Sequence, residues 1–197
     1  MDKCCSSQKA EVTHPLQPLT AEEISKVAEI VRADPPYGDN TRFETIELME
    51  PEKSDLAGYT SGDPISRKAR CNVFDATKVS VTKLVISLDD ETIISAKEMP
   101  GKRPMIQLEQ FVEIEEIVCS DPTFIEACKK RGITDMSMVC VDPWSAGNFD
   151  KPGEEGRHLA HIFCWLRMRE NSNFYANPIE GLNAVVDLLS KEVIRVD

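Results

Sequence analysis

The histidines are the side chains in this chain with the clearest potential for metal chemistry. There are three: His14 precedes a proline, and His158 and His161 are separated by two residues within a predicted strand. Successive side chains of a strand point to opposite faces, so the last two are expected to face away from each other. The spacing therefore predicts structural or surface histidines, with a zinc or copper site as the less favoured alternative.

Other catalytic constellations are weak. Cys140 and Cys164 lie near these histidines in the sequence, but a cysteine nucleophile needs a placed base and a third group that orients the base. The acidic cluster of Glu113, Glu115 and Glu116 is typical of a solvated helix face rather than a general acid and base pair. No glycine-rich phosphate loop is present. The sequence predicts no catalytic residue and no metal ligand.

The aromatic residues of the second half are more informative. Phe111, Trp144, Phe149 and Tyr175 lie in or beside segments predicted to be irregular. Such rings either cover the core of their own domain or line a pocket or an interface, where large amphipathic side chains are favoured. Both alternatives stay open at the level of residue pattern.

Composition limits the classes of partner. The chain has 197 residues, of which 41% are hydrophobic, and its 34 acidic and 23 basic residues give a formal charge of -11. This balance argues against nucleic acid, whose phosphates need a basic surface, and gives no support for binding to anionic membranes. The start of the chain lacks the apolar run of a secretory signal, and the cysteine count is odd at seven. We expect reduced thiols and a cytoplasmic or peroxisomal location.

The first half predicts one helix followed by about four strands. Residues 1–13 are expected to form a flexible tail. Thr20 and Glu23 have the spacing of a capping box, and Asp34-Pro35-Pro36 ends the helix that follows. The strands are predicted at 42–49, 67–74, 78–88 and 91–98, and 54–64 is predicted to be a loop.

The second half repeats this plan after a proline- and glycine-containing linker at 99–104. Helices are predicted at 107–118 and from Pro122 to Arg131, followed by strands at 137–141, 157–169, 182–188 and 192–196. Residues 142–156 are predicted to be a long loop. Helices followed by consecutive strands favour an α+β fold over a parallel α/β sheet. We therefore predict two domains, 14–99 and 104–197, each an antiparallel sheet of about four strands packed by one or two helices.

Several short motifs occur in an order that resembles the paired small N-terminal domains of copper amine oxidases. The resemblance covers about residues 14–197 and is carried by these segments: His14-Pro15-Leu16, Pro18-Leu19-Thr20-Ala21-Glu22-Glu23-Ile24, Arg131-Gly132-Ile133, Asp142-Pro143-Trp144-Ser145-Ala146-Gly147, Tyr175-Ala176-Asn177-Pro178 and Glu180-Gly181-Leu182. The resemblance implies two small antiparallel α+β domains. It also implies a parent reaction in which a primary amine, oxygen and water give an aldehyde, ammonia and hydrogen peroxide.

The family uses copper and topaquinone, a quinone made from one of its own tyrosines, and carries an Asn-Tyr-Asp/Glu motif and a His-x-His pair. Neither Asn-Tyr nor His-x-His occurs here. The resemblance thus implies that the catalytic domain is absent, that this chain binds neither cofactor, and that alone it is inactive.

The resemblance further implies that Phe111, Trp144 and Tyr175 wall the substrate channel of the intact enzyme. The implied partners are the catalytic domain of the same polypeptide, a second subunit in a homodimer and a primary amine. A stand-alone interaction protein that keeps the two small domains is the alternative.

Overall fold

The structure, a computed structural model, describes residues 12–78, 80–147, 149 and 151–197. The predicted tail, 1–13, lies outside the described residues except for its last two positions. The chain divides into two compact units. The first comprises the residues up to Ala76 together with Ser80–Pro100, and the second consists mainly of Gly101–Asp197. The predicted domain limits stay a prediction.

Two helices and four strands are formed by the described residues of the first unit. They are α1 (Ala21–Ala33), β1 (Thr41–Leu48), α2 (Lys53–Gly58), β2 (Lys68–Asp75), β3 (Val81–Ser87) and β4 (Thr92–Glu98). The strands form one antiparallel sheet in the order β1-β2-β3-β4. The core lies between α1 and this sheet and is built from Val27, Val31, Ala69, Cys71, Val73, Leu84 and Ile86.

Helix α1 begins as the sequence predicts. The Thr20 hydroxyl accepts a hydrogen bond from Glu23 N at 3.2 Å, and the Glu23 carboxylate accepts one from Thr20 N at 2.8 Å. The capping box is therefore confirmed, and two backbone N–H groups that a helix start would leave without partners are satisfied.

Helix α2 was not expected, because residues 54–64 are predicted to be a loop. The chain instead makes a short helix over Lys53–Gly58, in which no residue is buried. Helices are predicted from apolar residues that recur at helical spacing, because these residues form the face that packs on the core. A helix that buries no side chain does not need this spacing, and α2 does not show it. The prediction of a loop is wrong for these residues.

The second unit repeats the arrangement, and the part of it that the structure describes has two helices, two 3₁₀ turns and four strands. They are α3 (Leu108–Ser120), α4 (Pro122–Lys130), a 3₁₀ turn (Met136–Met138), β5 (Val139–Ser145), β6 (Leu159–Leu166), a second 3₁₀ turn (Phe174–Ala176), β7 (Pro178–Asp187) and β8 (Glu192–Val196). The sheet is antiparallel in the order β5-β6-β7-β8. Both units therefore confirm the predicted α+β class.

The core of the second unit lies between the two helices and one face of the sheet. It includes Ile114, Val118, Phe124, Cys128, Val139, Val141, Ala160, Ile162, Cys164, Leu182, Ala184 and Val186. Asp121 caps α4 by accepting a hydrogen bond from Phe124 N at 2.9 Å, and Pro122 occupies the first helical position.

Strand β5 is longer than predicted and carries Trp144, which the sequence places in a loop over 142–156. Pro143 lies inside the strand and is paired in register with Ile162. The proline is tolerated because β5 is an edge strand, where a missing N–H need not interrupt a second ladder. The predicted loop therefore starts after Ser145.

Candidate functional site

One face of the second sheet is aromatic. Along β5 the residues Val139, Val141 and Pro143 are buried, and the side chains between them belong to the opposite face. The register places Asp142 opposite Phe163 and Trp144 opposite His161. We call this second face the aromatic face; its members are Cys140, Asp142, Trp144, His161, Phe163 and Trp165.

The second 3₁₀ turn adds Tyr175 to the aromatic face. Asn173 caps the turn by accepting a hydrogen bond from Tyr175 N at 3.1 Å. The Tyr175 ring meets the Trp165 ring edge-on, with 5.0 Å between centroids, and lies 4.3 Å from the ring of Phe174. These edge and tilted contacts are the geometry that aromatic pairs prefer.

Asp142 links the two aromatic residues that the resemblance selects. Its Oδ2 accepts a hydrogen bond from Trp144 Nε1 at 3.2 Å. Partial desolvation raises the pKa of Tyr175, and the negative charge of the nearby Asp142 carboxylate raises it further. Trp144 and Tyr175, 31 positions apart in the numbering, are therefore brought to one carboxylate.

The aromatic face is open to solvent. Trp144 is 60% exposed, Tyr175 53% and Phe163 49%. Trp165 Nε1 is buried and has no acceptor among the described residues. Contiguous exposed apolar surface of this kind marks a contact with a ligand or another protein surface more often than isolated exposed residues do.

Phe111 belongs to a different surface. It lies on α3, whose residues Ile114 and Val118 pack into the core on the other face of the sheet. Beside it, Leu108 and Val112 are 83% and 65% exposed. Among the described residues, no ring contact joins Phe111 to Trp144 or Tyr175. The structure thus brings two of the three predicted channel residues together and places the third on the helix side.

The histidines face apart, as the strand alternation predicts. His158 is buried, and its Nε2 lies 3.0 Å from the carbonyl oxygen of Pro104. His161 lies on the aromatic face, with its Nε2 3.9 Å from the carboxylate of Glu154, which also pairs with Arg195 at 2.6 Å. Within the described ranges, no three His, Cys, Asp or Glu side chains are grouped so that they could hold a metal ion.

The cysteines near these histidines are not activated. Burial raises the pKa of Cys164 to about 12 and also raises that of Cys140. A thiol with a raised pKa is a poor nucleophile, because the thiolate is the reactive form. No Cys–His nucleophile is therefore assembled from these residues.

Residue patterns alone missed Asp142, Phe163 and Trp165 as members of the aromatic face. A signal was available: Asp142 and Trp144 are spaced by two, which places them on the same face of any strand. It was hidden because this segment was predicted to be a loop. Phe163 and Trp165 required the register between β5 and β6, which the sequence does not reveal.

The fold and this site define a tandem of small α+β domains, one of which presents an exposed aromatic face. The family model for the AGAO-like N2 domain matches residues 20–96, and the model for the copper amine oxidase N3 domain matches residues 109–197. The chain therefore belongs to the copper amine oxidase family and consists of its two small N-terminal domains.

Similar proteins are amine oxidases of greater length. A primary amine oxidase from Arthrobacter sp. (strain P1) is 33% identical over 94% of this chain, and one from Klebsiella aerogenes is 35% identical over 93%. The chain spans 28% and 25% of their lengths. A crystal structure of a copper-containing benzylamine oxidase from Hansenula polymorpha shares the fold, with a TM-score of 0.74 and 23% identity over 93% of this chain and 30% of that one.

Proposed function

We propose that these two domains are the non-catalytic N-terminal region of a copper- and topaquinone-dependent primary amine oxidase. The observation that carries this proposal is the ordered match to the N2 and N3 domains across the chain. Relatives named as primary amine oxidases are about three to four times as long as the matched region, since it covers 28% and 25% of them. The proposed reaction of the intact protein converts a primary amine, oxygen and water to an aldehyde, ammonia and hydrogen peroxide.

The chemistry of that reaction is assigned to the rest of the polypeptide. The residues described here do not fit a copper site, because no metal-ligating group of three is formed and the buried His158 is bonded to a backbone carbonyl. We therefore assign no step of the reaction to these two domains. Their own contribution is to bind and position.

We assign the aromatic face to contact with the catalytic domain and to the wall of the substrate entrance. Trp144 and Tyr175 present more than half of their surface to solvent on a sheet whose other face is a packed core. Rings held on a rigid element give large contact area at low entropic cost. Phe111, with its exposed neighbours on α3, supplies a second contact surface on the helix side. The intact enzyme is proposed to be a homodimer.

The location proposed for the protein is the cytoplasm or the peroxisome. A diamine oxidase from Nicotiana tabacum, 29% identical over 96% of this chain, is named as peroxisomal. The helices that the structure describes include none with the length and apolar character that crossing a bilayer requires.

The test begins with the mass of the endogenous polypeptide. An antibody against this segment should detect a band well above the 22.1 kDa of the 197-residue chain. The immunopurified protein should stain for a quinone and release hydrogen peroxide when a primary amine is added. The recombinant 197-residue chain, loaded with copper under the same conditions, is the control and should release none.

An endogenous band at 22 kDa would contradict the proposal and would favour a stand-alone interaction protein instead.

The role of Trp144 and Tyr175 in the channel wall is tested separately in the full-length form. Replacing Trp144 or Tyr175 by alanine should change the order of preference among amines of different bulk, whereas Phe43, an aromatic residue of the first unit, serves as the control position. An unchanged order of preference in the first two variants would rule out the wall assignment.

A further inference from the structure

Strand β4 forms one edge of the first sheet and is the least buried strand of that sheet. It pairs with β3 on one side, and on its other side the described residues supply no further strand. Six of its seven residues are exposed, and only Ile93 is half-buried. An edge of this kind presents backbone N–H and C=O groups that have no ladder partner and can pair with an added strand.

A groove of about 520 Å³ runs between α1 and the start of β4. Its apolar lining consists of Ile30, Ala33 and Ile93, and its acidic lining consists of Glu29, Asp34 and Glu91. The volume lies within the range of about 300–1,000 Å³ that is typical of ligand-binding pockets. A chain segment in this groove would contact helix side chains on one side and the edge of β4 on the other.

The charge of the groove is predominantly negative. Lys26 also lines it, but its Nζ lies 2.8 Å from the carboxylate of Glu91, so these two charges offset each other. Glu29 and Asp34 have no ion-pair partner among the described residues. The whole chain carries a formal charge of -11. Both the local and the net charge therefore favour a basic partner over an acidic one.

We propose that the groove between α1 and β4 binds an extended segment of a partner protein that carries both basic and apolar side chains. The segment adds to β4 as a further strand, so that main-chain hydrogen bonds supply affinity and the groove supplies specificity. Its apolar side chains pack on Ile30, Ala33 and Ile93, and its basic side chains pair with Glu29 and Asp34. This interaction belongs to the first unit and does not depend on the proposed oxidase function.

A second copy of the chain fits this edge less well than a short basic segment does. In the register with β3, Ser95 and Ile93 lie opposite consecutive residues, so Ile94 between them is the extra residue of a β-bulge. A bulge twists an edge strand and disfavours its pairing with another long strand. Two copies that each carry a charge of -11 also repel each other. A short basic segment can pair beside the bulge and is attracted by the same charge.

The probe is a synthetic peptide, Lys-Val-Lys-Val-Lys-Val, that carries a fluorescent label. Its fluorescence anisotropy is measured during titration with the 197-residue chain at about 0.15 M salt. A peptide with glutamate in place of lysine should not bind. Two further peptides are N-methylated at all lysines or at all valines. Because alternate N–H groups of a strand point to opposite edges, pairing with β4 predicts that one of these two peptides binds and the other does not.

Three variants test the position of the groove. Glu29→Lys replaces an attractive charge by a repulsive one, and we expect the Kd of the Lys-Val peptide to rise about fivefold. Glu116→Lys makes the same change of net charge at an exposed position of α3 in the second unit and should leave the Kd within about twofold of wild type. Lys26→Gln releases the Glu91 carboxylate and should lower the Kd by about twofold. Far-UV circular dichroism checks that each variant is folded.

Hydrogen exchange, measured with and without the Lys-Val peptide, locates the contact. Amide exchange should slow in β4 and stay unchanged in β8, which is an edge strand of the second sheet. Saturable binding with this pattern of protection and this order of affinities supports the proposal.

Four results would overturn the proposal. They are equal binding of the glutamate peptide, binding of both or neither of the N-methylated peptides, equal effects of Glu29→Lys and Glu116→Lys, and equal protection of β4 and β8. Light scattering of the chain alone provides a further check. A dimer that the peptide dissociates would assign the edge of β4 to a second copy and would also overturn the proposal.

Discussion

The buried Arg67 should be the most sensitive single position of the first unit. Its side chain is 7% exposed and donates to both oxygens of Glu23, at 2.8 and 2.9 Å. The same guanidinium donates to three backbone carbonyl oxygens, those of Pro15, Gln17 and Pro18, at 3.4, 2.8 and 3.2 Å. It thereby connects the segment before α1 to the start of β2.

Replacement by methionine keeps the aliphatic volume and removes all of these donors. The Glu23 carboxylate, which is 18% exposed, would keep its hydrogen bond from Thr20 N and lose its cationic partner, and the three carbonyl groups would lose the Arg67 donors. Breaking a buried ion pair from one side typically costs about 3–5 kcal/mol, because the remaining charge is left without compensation. Since a domain is stable by about 5–15 kcal/mol, Arg67→Met should remove a large part of the free energy of unfolding of the first unit.

Arg70 provides a matched control. It lies three residues further along, and its Nε is also 2.8 Å from a carboxylate, that of Glu47, but its side chain is 61% exposed. An exposed pair contributes about 0–1 kcal/mol, so Arg70→Met should be nearly silent. The comparison separates the effect of burial from the effect of the ion pair itself.

Urea unfolding of the full chain, followed by far-UV circular dichroism, measures the difference. With a slope of about 1–3 kcal/mol per molar urea, a loss of about 4 kcal/mol lowers the midpoint of the first unit by about 1–4 M. Tryptophan fluorescence serves as an internal reference, because both tryptophans belong to the second unit. A cost of less than about 1 kcal/mol for Arg67→Met, or equal costs for the two variants, would refute this reasoning.

The stabilisation of the first unit by the Arg67–Glu23 ion pair should also depend on pH. The hydrogen bond from Arg67 holds the pKa of Glu23 below its ordinary value of 4.5. The pair therefore contributes its full stability above pH 4.5, and this contribution is lost as the pH falls through the lower pKa of the folded state. The difference between wild type and Arg67→Met should shrink in acid.

Three further predictions concern the second unit and the buried thiols. Burial lowers the pKa of His158 below 6.5, so as the pH falls the unfolded state binds a proton at a higher pH than the folded state does. The free energy of unfolding of the second unit, measured by tryptophan fluorescence, should therefore decrease below pH 6.5. This pH dependence should be weaker in His158→Gln. Asp121→Ala removes the hydrogen bond to Phe124 N and should cost about 1 kcal/mol in the same urea titration, whereas no measurable cost would show that the cap is dispensable. Burial raises the pKa of Cys71 and of Cys164 to about 12. Iodoacetamide at about pH 8 should therefore label both thiols in urea and leave them unlabelled in the folded chain, as measured by peptide mass spectrometry. Rapid labelling of the folded chain would contradict their burial.

Much of the fold follows from local pattern. The capping box of α1, the aspartate cap with Pro122 in α4, and the alternation of the strands each depend on residues within a few positions of one another. In the two regions predicted incorrectly, such a local signal is missing or is outweighed by a proline. Helix α2 buries no residue, and the end of β5 contains a proline that only its edge position makes compatible with a strand.

The sequence by itself determined the order of the strands and of the helices that bury side chains, the antiparallel α+β class and the family, because caps, turns and short motifs are properties of neighbouring residues. Only the tertiary structure decided which distant side chains meet. The pairing of β5 with β6 places Phe163 opposite Asp142, and the 3₁₀ turn brings Tyr175 to the same carboxylate. It also decided that Arg67 is buried and Arg70 exposed. Strand register and burial depend on contacts far apart in the chain, and these contacts have no local signal from which they can be predicted.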